Sequence, residues 1–329
     1  MPSPEKSTNG RSGTPRAPWV HRAGLAALSR LAPGAAARTA ARMFMTPPRF
    51  AAPPRERAAL HAGEPLEVRF GGGRLRAWRF GEGPPVLLVH GWGGRAGQMA
   101  ALVPALRDAG LAPVALDAPA HGASPGRTAS VPAFAEAVAA AVDAIGARAA
   151  VAHSMGAAGV GFAVSRGLRL DAAVFLAPPR TPWAFVDAFC AALELSPSVG
   201  ERMVRRIERR VGVPRAELDL AAAGRGAALP LLVVHDVRDQ EIPHAEGAAV
   251  AAAWPGARLL TTDGLGHRRI LRDGRVAGAA AAFLAAHLAR CATCGRVAAL
   301  GEGDRARCEG CALAEELYDR GARALNASA

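Results

Sequence analysis

Three residues far apart in the chain are of the types that together perform nucleophilic acyl transfer. Ser154 stands in Val151-Ala152-His153-Ser154-Met155-Gly156-Ala157, an apolar strand that runs into small residues opening a helix. A sharp strand-to-helix turn of this kind lifts a serine hydroxyl clear of a sheet, and small residues two places either side let neighbouring backbones approach. Gly156 fills the downstream place, and Ala152 stands upstream where glycine is more usual. The plain alternative is a serine that caps a helix N-terminus. At neutral pH a serine needs a general base, and the base needs an orienting carboxylate. His267, in Gly264-Leu265-Gly266-His267, and Asp239, a few places beyond the strand 231–235, are the candidates. Acyl transfer also builds charge on the former carbonyl oxygen, which pre-aimed N–H donors stabilise. The Gly-rich turn His90-Gly91-Trp92-Gly93-Gly94 and the elbow itself offer two, the amides of Trp92 and Met155.

Nine histidines compete for the base role. His90 and His153 stand at strand ends beside motif glycines and are expected to hold loops together. His235 ends a strand and His244 opens a helix. His121, in the loop Asp117 to Ser124, is the strongest rival, but that loop precedes the elbow and reads as structural. Asp236 competes with Asp239 for the acid role and still belongs to the strand end, whereas Asp239 can reach across the site.

A second constellation lies near the C-terminus. Cys291 and Cys294 form one C-x-x-C pair, Cys308 and Cys311 another, with 13 residues between Cys294 and Cys308. Paired knuckles at such a spacing can place four thiolates around Zn²⁺. Four protein ligands leave no open position for catalytic water, so this metal is expected to be structural. Cys190 is expected to be a small core hydrophobe.

The elements that must position the first constellation alternate as in a mostly parallel α/β sheet. Residues 66–70 and 74–80, joined by Gly71-Gly72-Gly73, read as an opening hairpin. Apolar strands follow at 86–90, 113–116, 149–152, 173–176 and 231–235, with a last one near 258–261. Helical patterns fall at about 96–109, 131–146, 155–166, 245–253 and 274–290. Ser154, Asp239 and His267 therefore lie in loops at the carboxyl ends of strands, where open α/β sheets build their sites. Residues 179–228 interrupt the rhythm with helical, Arg-rich sequence, where a lid would sit. Trp183, Phe185 and Phe189 within it could line an acyl pocket or form the lid's own core. Expected domains are a basic extension (1–63), an α/β domain (64–290, lid about 179–228) and a cysteine-rich tail (291–329). In the extension, residues 20–45 read as two short helices split at Pro33-Gly34 and packed on the main domain.

The residues His90-Gly91-Trp92-Gly93, Asp117 to Ser124, Ala152 to Gly156, Asp239 with Ile242-Pro243, and Gly266-His267 resemble the α/β-hydrolase fold superfamily, specifically its small-lidded esterase and peroxidase-like members. The resemblance covers about residues 64–290. It implies an eight-stranded, mainly parallel sheet, a triad on Ser154, Asp239 and His267, and a two-donor oxyanion hole. The expected activity is that of a serine hydrolase on a small-molecule carboxylic ester or thioester. The fold alone does not select the substrate. A non-catalytic interaction module built on the same fold, with a zinc-binding tail, is the alternative.

Composition narrows the partners. The chain of 329 residues carries a formal charge of +12, of which +8 lies in residues 1–60 and +5 in residues 61–290. No nucleic-acid reader motif accompanies this charge, so nucleic acid is not an expected partner. No apolar run is long enough and free enough of charge to span a bilayer, and neither a secretory signal nor a transit peptide is visible, so the expectation is a cytoplasmic protein. The tail could mediate a protein contact or self-association.

Overall fold

A computed structural model describes residues 19–288, with side chains from Gly24 onward. Cys291, Cys294, Cys308 and Cys311, and with them the expected zinc ribbon, lie outside the described residues. In chain order the α-helices are α1 (Trp19–Leu31), α2 (Pro33–Met45), α3 (Pro54–His61), α4 (Ala96–Met99), α5 (Val103–Asp108), α6 (Val131–Ile145) and α7 (Met155–Ser165). They continue with α8 (Trp183–Ala192), α9 (Pro197–Val211), α10 (Leu220–Gly224), α11 (His244–Ala253), α12 (Gly266–Arg269) and α13 (Gly274–Leu288). The strands are β1 (Glu64–Phe70), β2 (Gly73–Arg79), β3 (Pro85–Val89), β4 (Ala112–Leu116), β5 (Ala149–His153), β6 (Ala172–Leu176), β7 (Leu231–Asp236) and β8 (Arg258–Thr262).

Two compact units emerge from the contacts: one holds residues up to Met45 together with Trp183–Arg215, the other Thr46–Pro182 and the chain from Ala216. The second contains all eight strands in one sheet, ordered β1-β2-β4-β3-β5-β6-β7-β8. β1, β2 and β4 pair antiparallel, and every other neighbouring pair is parallel. Strands covered on both faces read as continuous apolar runs rather than alternating ones. β4, β5, β6 and β7 are accordingly buried along their whole length.

Small residues let the flanking layers come close. A Cβ on Gly159 of α7 would lie 2.6 Å from the Cβ of Phe134 on α6, so this helix pair depends on glycine there. Ser130 caps α6 by accepting from the Ala133 N–H at 3.2 Å, and Gly146 ends it in the left-handed region. On one side of the sheet Leu88, Val151, Val174 and Val234 share a core with Leu284 and Leu288 of α13. The chain passes from β3 to β4 on one side and returns to β5 on the other. The carboxyl end of β3 is thus a switch point, where crevices open in sheets of this kind.

The helical unit is organised differently. α9 is amphipathic and buries a single stripe, Val199, Met203 and Ile207, at i, i+4 and i+8. α2 packs against α9 and buries the small residues Ala36, Ala37, Ala40 and Ala41 along with Met45. Phe44 meets Phe189 of α8 edge-on, with centroids 5.4 Å apart. The helices of residues 20–45, expected to pack on the main domain of residues 64–290, group with residues 183–215 of that range. α9 has one apolar stripe to cover, and the alanine face of α2 permits a close approach. The expected lid segment divides accordingly, residues 183–215 belonging to the helical unit and 216–228 to the sheet unit. Trp183 is buried in the helical unit, donating Nε1–H to the Arg215 carbonyl at 3.0 Å, with the Arg215 guanidinium stacked on its ring.

Candidate active site

Ser154 occupies the step between β5 and α7 with φ +53° and ψ −121°. A non-glycine residue held in this region is strained, and such strain persists only where surrounding structure over-determines it. Here the over-determination is visible. The Ser154 N–H donates to the Leu176 carbonyl of β6 at 2.9 Å, and its carbonyl accepts from Ala157 and Ala158. Its hydroxyl makes no capping bond to α7, which removes the plain helix-cap reading. Gly156 lies under the end of β3, where a Cβ would approach the His90 carbonyl to 2.6 Å. A Cβ on Gly91 would in turn sit 3.0 Å from the Ser154 Cβ. Glycine at 91 and 156 therefore lets the turn after β3 press directly on the elbow. Ala152, the departure from the usual motif, is fully buried and pairs in register with Val89 and Phe175.

The turn after β3 is held by two histidines. His90 donates Nδ1–H to the Gly91 carbonyl at 2.7 Å and accepts the Ala118 N–H on Nε2 at 3.1 Å. His121 donates Nδ1–H to the Pro119 carbonyl at 2.9 Å and accepts the Gly93 N–H on Nε2 at 3.0 Å. Burial lowers the pKa of His90 to about 4 and that of His121 to about 3. Both rings are therefore neutral at pH 7, and each has both nitrogens engaged with backbone. Asp117 completes this cluster: Oδ1 accepts from Ala96 at 2.6 Å and Oδ2 from Ala123 at 2.7 Å. Burial raises its pKa, and those two N–H donors oppose the rise. His121 thus supports the loop that carries Trp92, in line with a structural role. Met155 opens α7, so its N–H has no partner within the helix.

The loops after β7 and β8 bring the remaining candidates together. Asp239 accepts the N–H groups of Glu241 and Ile242 on Oδ1, at 2.8 and 2.9 Å. Oδ2 is left to face side chains, and the His267 Nδ1–H donates to it at 2.8 Å. Burial works to raise the Asp239 pKa, but the imidazole N–H donors of His235 and His267 and the backbone amides outweigh it and hold the carboxyl below its usual range. The neighbouring Asp236 is engaged otherwise, binding Arg238 N–H on Oδ1 and Thr262 Oγ1 and Leu265 N–H on Oδ2. It shapes the loops on either side of His267 and has no free oxygen for an imidazole. No hydrogen bond joins Ser154 Oγ to His267 among the described residues. The elbow and the imidazole are nonetheless coupled, because His153, one residue before Ser154, donates Nε2–H to the His267 carbonyl at 2.9 Å. The two rings lie 4.6 Å apart. Burial, and then the adjacent His267, lowers the His153 pKa to about 3.

Two contributors escaped the sequence reading. His153 was expected to hold a loop, but its tie to the His267 backbone joins residues 114 positions apart. The sequence places His235 at a strand end, yet its Nε2 lies 3.3 Å from Asp239 Oδ2. The i, i+4 spacing of His235 and Asp239 across a strand end was the only available signal.

Comparisons with known proteins agree with this architecture. A family model described as alpha/beta hydrolase fold matches residues 84–231. Among solved structures, Rv0554 from Mycobacterium tuberculosis is 20% identical over 69% of this chain and 100% of its own, with TM-score 0.54. The esterase Pf2001 from Pyrococcus furiosus is 18% identical over 73% of this chain and 98% of its own, with TM-score 0.57. A bromoperoxidase from Bacillus anthracis is 18% identical over 67% of this chain and 99% of its own, with TM-score 0.52. No curated protein matches the sequence. The chain has the α/β-hydrolase fold.

Proposed function

We propose that this α/β-hydrolase-fold chain is a serine hydrolase that cleaves a carboxylic ester or thioester. The observation that carries the reading is the 2.8 Å bond from His267 Nδ1–H to Asp239 Oδ2, at the same sheet edge as a serine in a strained elbow. With Nδ1 protonated and bound, Nε2 of His267 is the basic nitrogen, able to take the Ser154 proton as Oγ attacks the acyl carbon. Asp239 stabilises the imidazolium that forms. The amides of Met155 and Trp92 receive the developing oxyanion, a contribution worth about 3–4 kcal/mol per donor in comparable sites. His267 then protonates the leaving group, and water, activated by the same base, resolves the acyl-enzyme. Residues 179–228, inserted between β6 and β7, supply the lid on this reading.

Covalent labelling with a fluorophosphonate tests the proposal. Intact protein should gain one adduct, located on Ser154, and Ser154→Ala should not. A folded wild-type chain that stays unlabelled and turns over no short-chain ester or thioester overturns it in favour of the non-catalytic module. We further propose that Cys291, Cys294, Cys308 and Cys311 hold one structural Zn²⁺, on the strength of their spacing. Elemental analysis should find one zinc per chain, absent in Cys308→Ser. Retained thiolates fit the reducing cytoplasm expected for this chain.

A further inference from the structure

Among the buried imidazoles at the site that the proposed mechanism does not use, His235 is the one that touches the triad carboxylate. His235 is the penultimate residue of β7 and is fully buried. Its Nε2 lies 3.0 Å from the Ile242 carbonyl and 3.3 Å from Asp239 Oδ2, the same oxygen that accepts from His267. Both neighbours are acceptors, so the proton of the ring belongs on Nε2. Nδ1, in contrast, is buried with no partner. It faces Gly247 of α11, where any Cβ would collide with the ring. A proton on Nδ1 would be a buried donor without an acceptor, a costly arrangement, so the tautomer is set by the packing. The other titratable groups around the ring are His244 of α11, edge-on at 5.7 Å, and His267 across the shared carboxylate. Asp236, next in sequence, is turned to Thr262 and Leu265.

We infer that His235 is a positioning residue: its Nε2–H, divided between the Ile242 carbonyl and Asp239 Oδ2, fixes the angle of that carboxylate and limits its basicity toward His267. The inference rests on the assignment of Asp239 and His267 as the orienting acid and the base. A carboxylate oxygen with two donors is a weaker acceptor for each. With His235 in place, Asp239 still orients His267, but it stabilises the imidazolium less than it would alone. The consequence is a carboxylate whose hold on the His267 ring is divided with a second donor. The same effect explains why the glycine at 247 matters: it allows the ring to sit where Nε2, rather than Nδ1, reaches the loop. The notable feature is that the carboxylate of the candidate triad is shared between two imidazoles, one facing the elbow and one facing the core.

The test is an NMR pH titration of the His267 ring in full-length Ser154→Ala protein, carried out in that background and with His235→Leu or His235→Gln added. It requires no turnover. Removing the donor in His235→Leu should shift the His267 titration to higher pH by about 0.5–1 pH unit. His235→Gln, whose amide can return an N–H near the Nε2 position, should bring it back. In proteins with Ser154 intact, the acid limb of the fluorophosphonate labelling rate should move in the same sense. A titration that is unchanged in His235→Leu, moves to lower pH, or moves equally in His235→Leu and His235→Gln overturns the inference, because a purely packing role would not distinguish a donor from its absence. Should His235→Leu fail to fold, the unaltered chain gives the answer. Its ¹⁵N spectrum should show His235 protonated on Nε2, with that resonance displaced in Asp239→Asn; a proton on Nδ1, or an undisplaced resonance, overturns the inference. An unlabelled Ser154 with the His267 response intact would sink the hydrolase reading alone, and normal labelling with no response would sink this one alone.

Discussion

Two clusters of the sheet unit share a composition and differ in what their carboxylates face. Beside β4, Asp117 stands with His90 and His121; beside β7, Asp239 stands with His235 and His267. In the first cluster both carboxylate oxygens accept backbone N–H groups, and all four ring nitrogens of the two histidines face backbone. In the second, backbone amides occupy one oxygen of Asp239 and the other faces two imidazoles. The electrostatics divide the same way. Burial pushes the Asp117 carboxyl up, while Asp239 is held down. A carboxylate consumed by backbone fixes a loop, whereas one with an oxygen left for an imidazole can stabilise a charge that appears and disappears. Residue type alone does not separate these roles; the identity of the partner does.

The strongest way to break this contrast is to neutralise each carboxylate in turn. Asp239→Asn presents an amide where His267 needs an acceptor, and the labelling rate or kcat should fall by about 10⁴-fold with the fold intact. Asp117→Asn should change the rate by less than about tenfold and instead cost roughly 1–3 kcal/mol of stability, through a lost acceptor for one buried amide. Paired rate and urea-unfolding measurements decide the matter. Comparable rate losses in the two variants would erase the distinction.

The first cluster should also announce itself in acid. Burial holds His90 near 4 and His121 near 3 in the folded chain, well below the ordinary histidine value of 6.5. Above pH 6.5 neither state carries the extra protons, and the stabilisation is fully present. As pH falls from 6.5 toward 4 the unfolded chain takes up protons at these two rings, and at His153 beside His267, that the folded chain refuses. With three such rings the slope approaches about 4 kcal/mol per pH unit. Urea midpoints at pH 7, 6 and 5 should show it, and His121→Gln should remove about a third. An unchanged slope in that variant would mean the ring is not held neutral by burial.

Where the first cluster meets the elbow, the expected loss is on catalysis. Gly91→Ala would bring a methyl to 3.0 Å from the Ser154 Cβ and 3.1 Å from His153 Nδ1. The turn carrying Trp92 must then retreat, and loss of one aimed donor lowers kcat by about 10²-fold with KM little altered. A variant with raised KM and normal kcat would place Trp92 in ground-state binding rather than at the oxyanion.

The sheet was readable because its strands are short Val, Leu and Ala runs bounded by Gly, Pro and Asp. All eight expected strands overlap observed ones, and the extra residue at most ends is a matter of ladder pairing. The elbow was readable because its requirements are local: a strand, a serine and small neighbours within seven residues. What could not be read is what arises from contact between distant loops. The bond from His153 to the His267 carbonyl and the approach of His235 to Asp239 depend on where three loops end, as does the packing of Gly91 under Ser154. The pairing of α2 with α9 was missed for a similar reason. An alanine-rich helix carries little of its own about which stripe it covers, and the answer lies in the apolar face of α9, more than 150 residues away.

The finest discrimination lies within one loop, between Asp236 and Asp239. Both carboxyls are held below the usual range, and for both burial opposes the shift. For Asp236 the opposing donors are the amides of Gly266 and Leu265 and the Thr262 hydroxyl; for Asp239 the imidazoles lead. A depressed pKa therefore does not mark the catalytic acid. Asp236→Asn keeps an acceptor oxygen and loses one, so it should cost about 1 kcal/mol of stability. Because Asp236 bonds to Leu265, two residues before His267, the rate should fall only a few-fold, and the pH profile should keep its shape. That shape is the sensitive readout. A change in it would mean that Asp236 contributes to the charge on His267 directly, and the partition of roles between the two carboxylates would have to be redrawn.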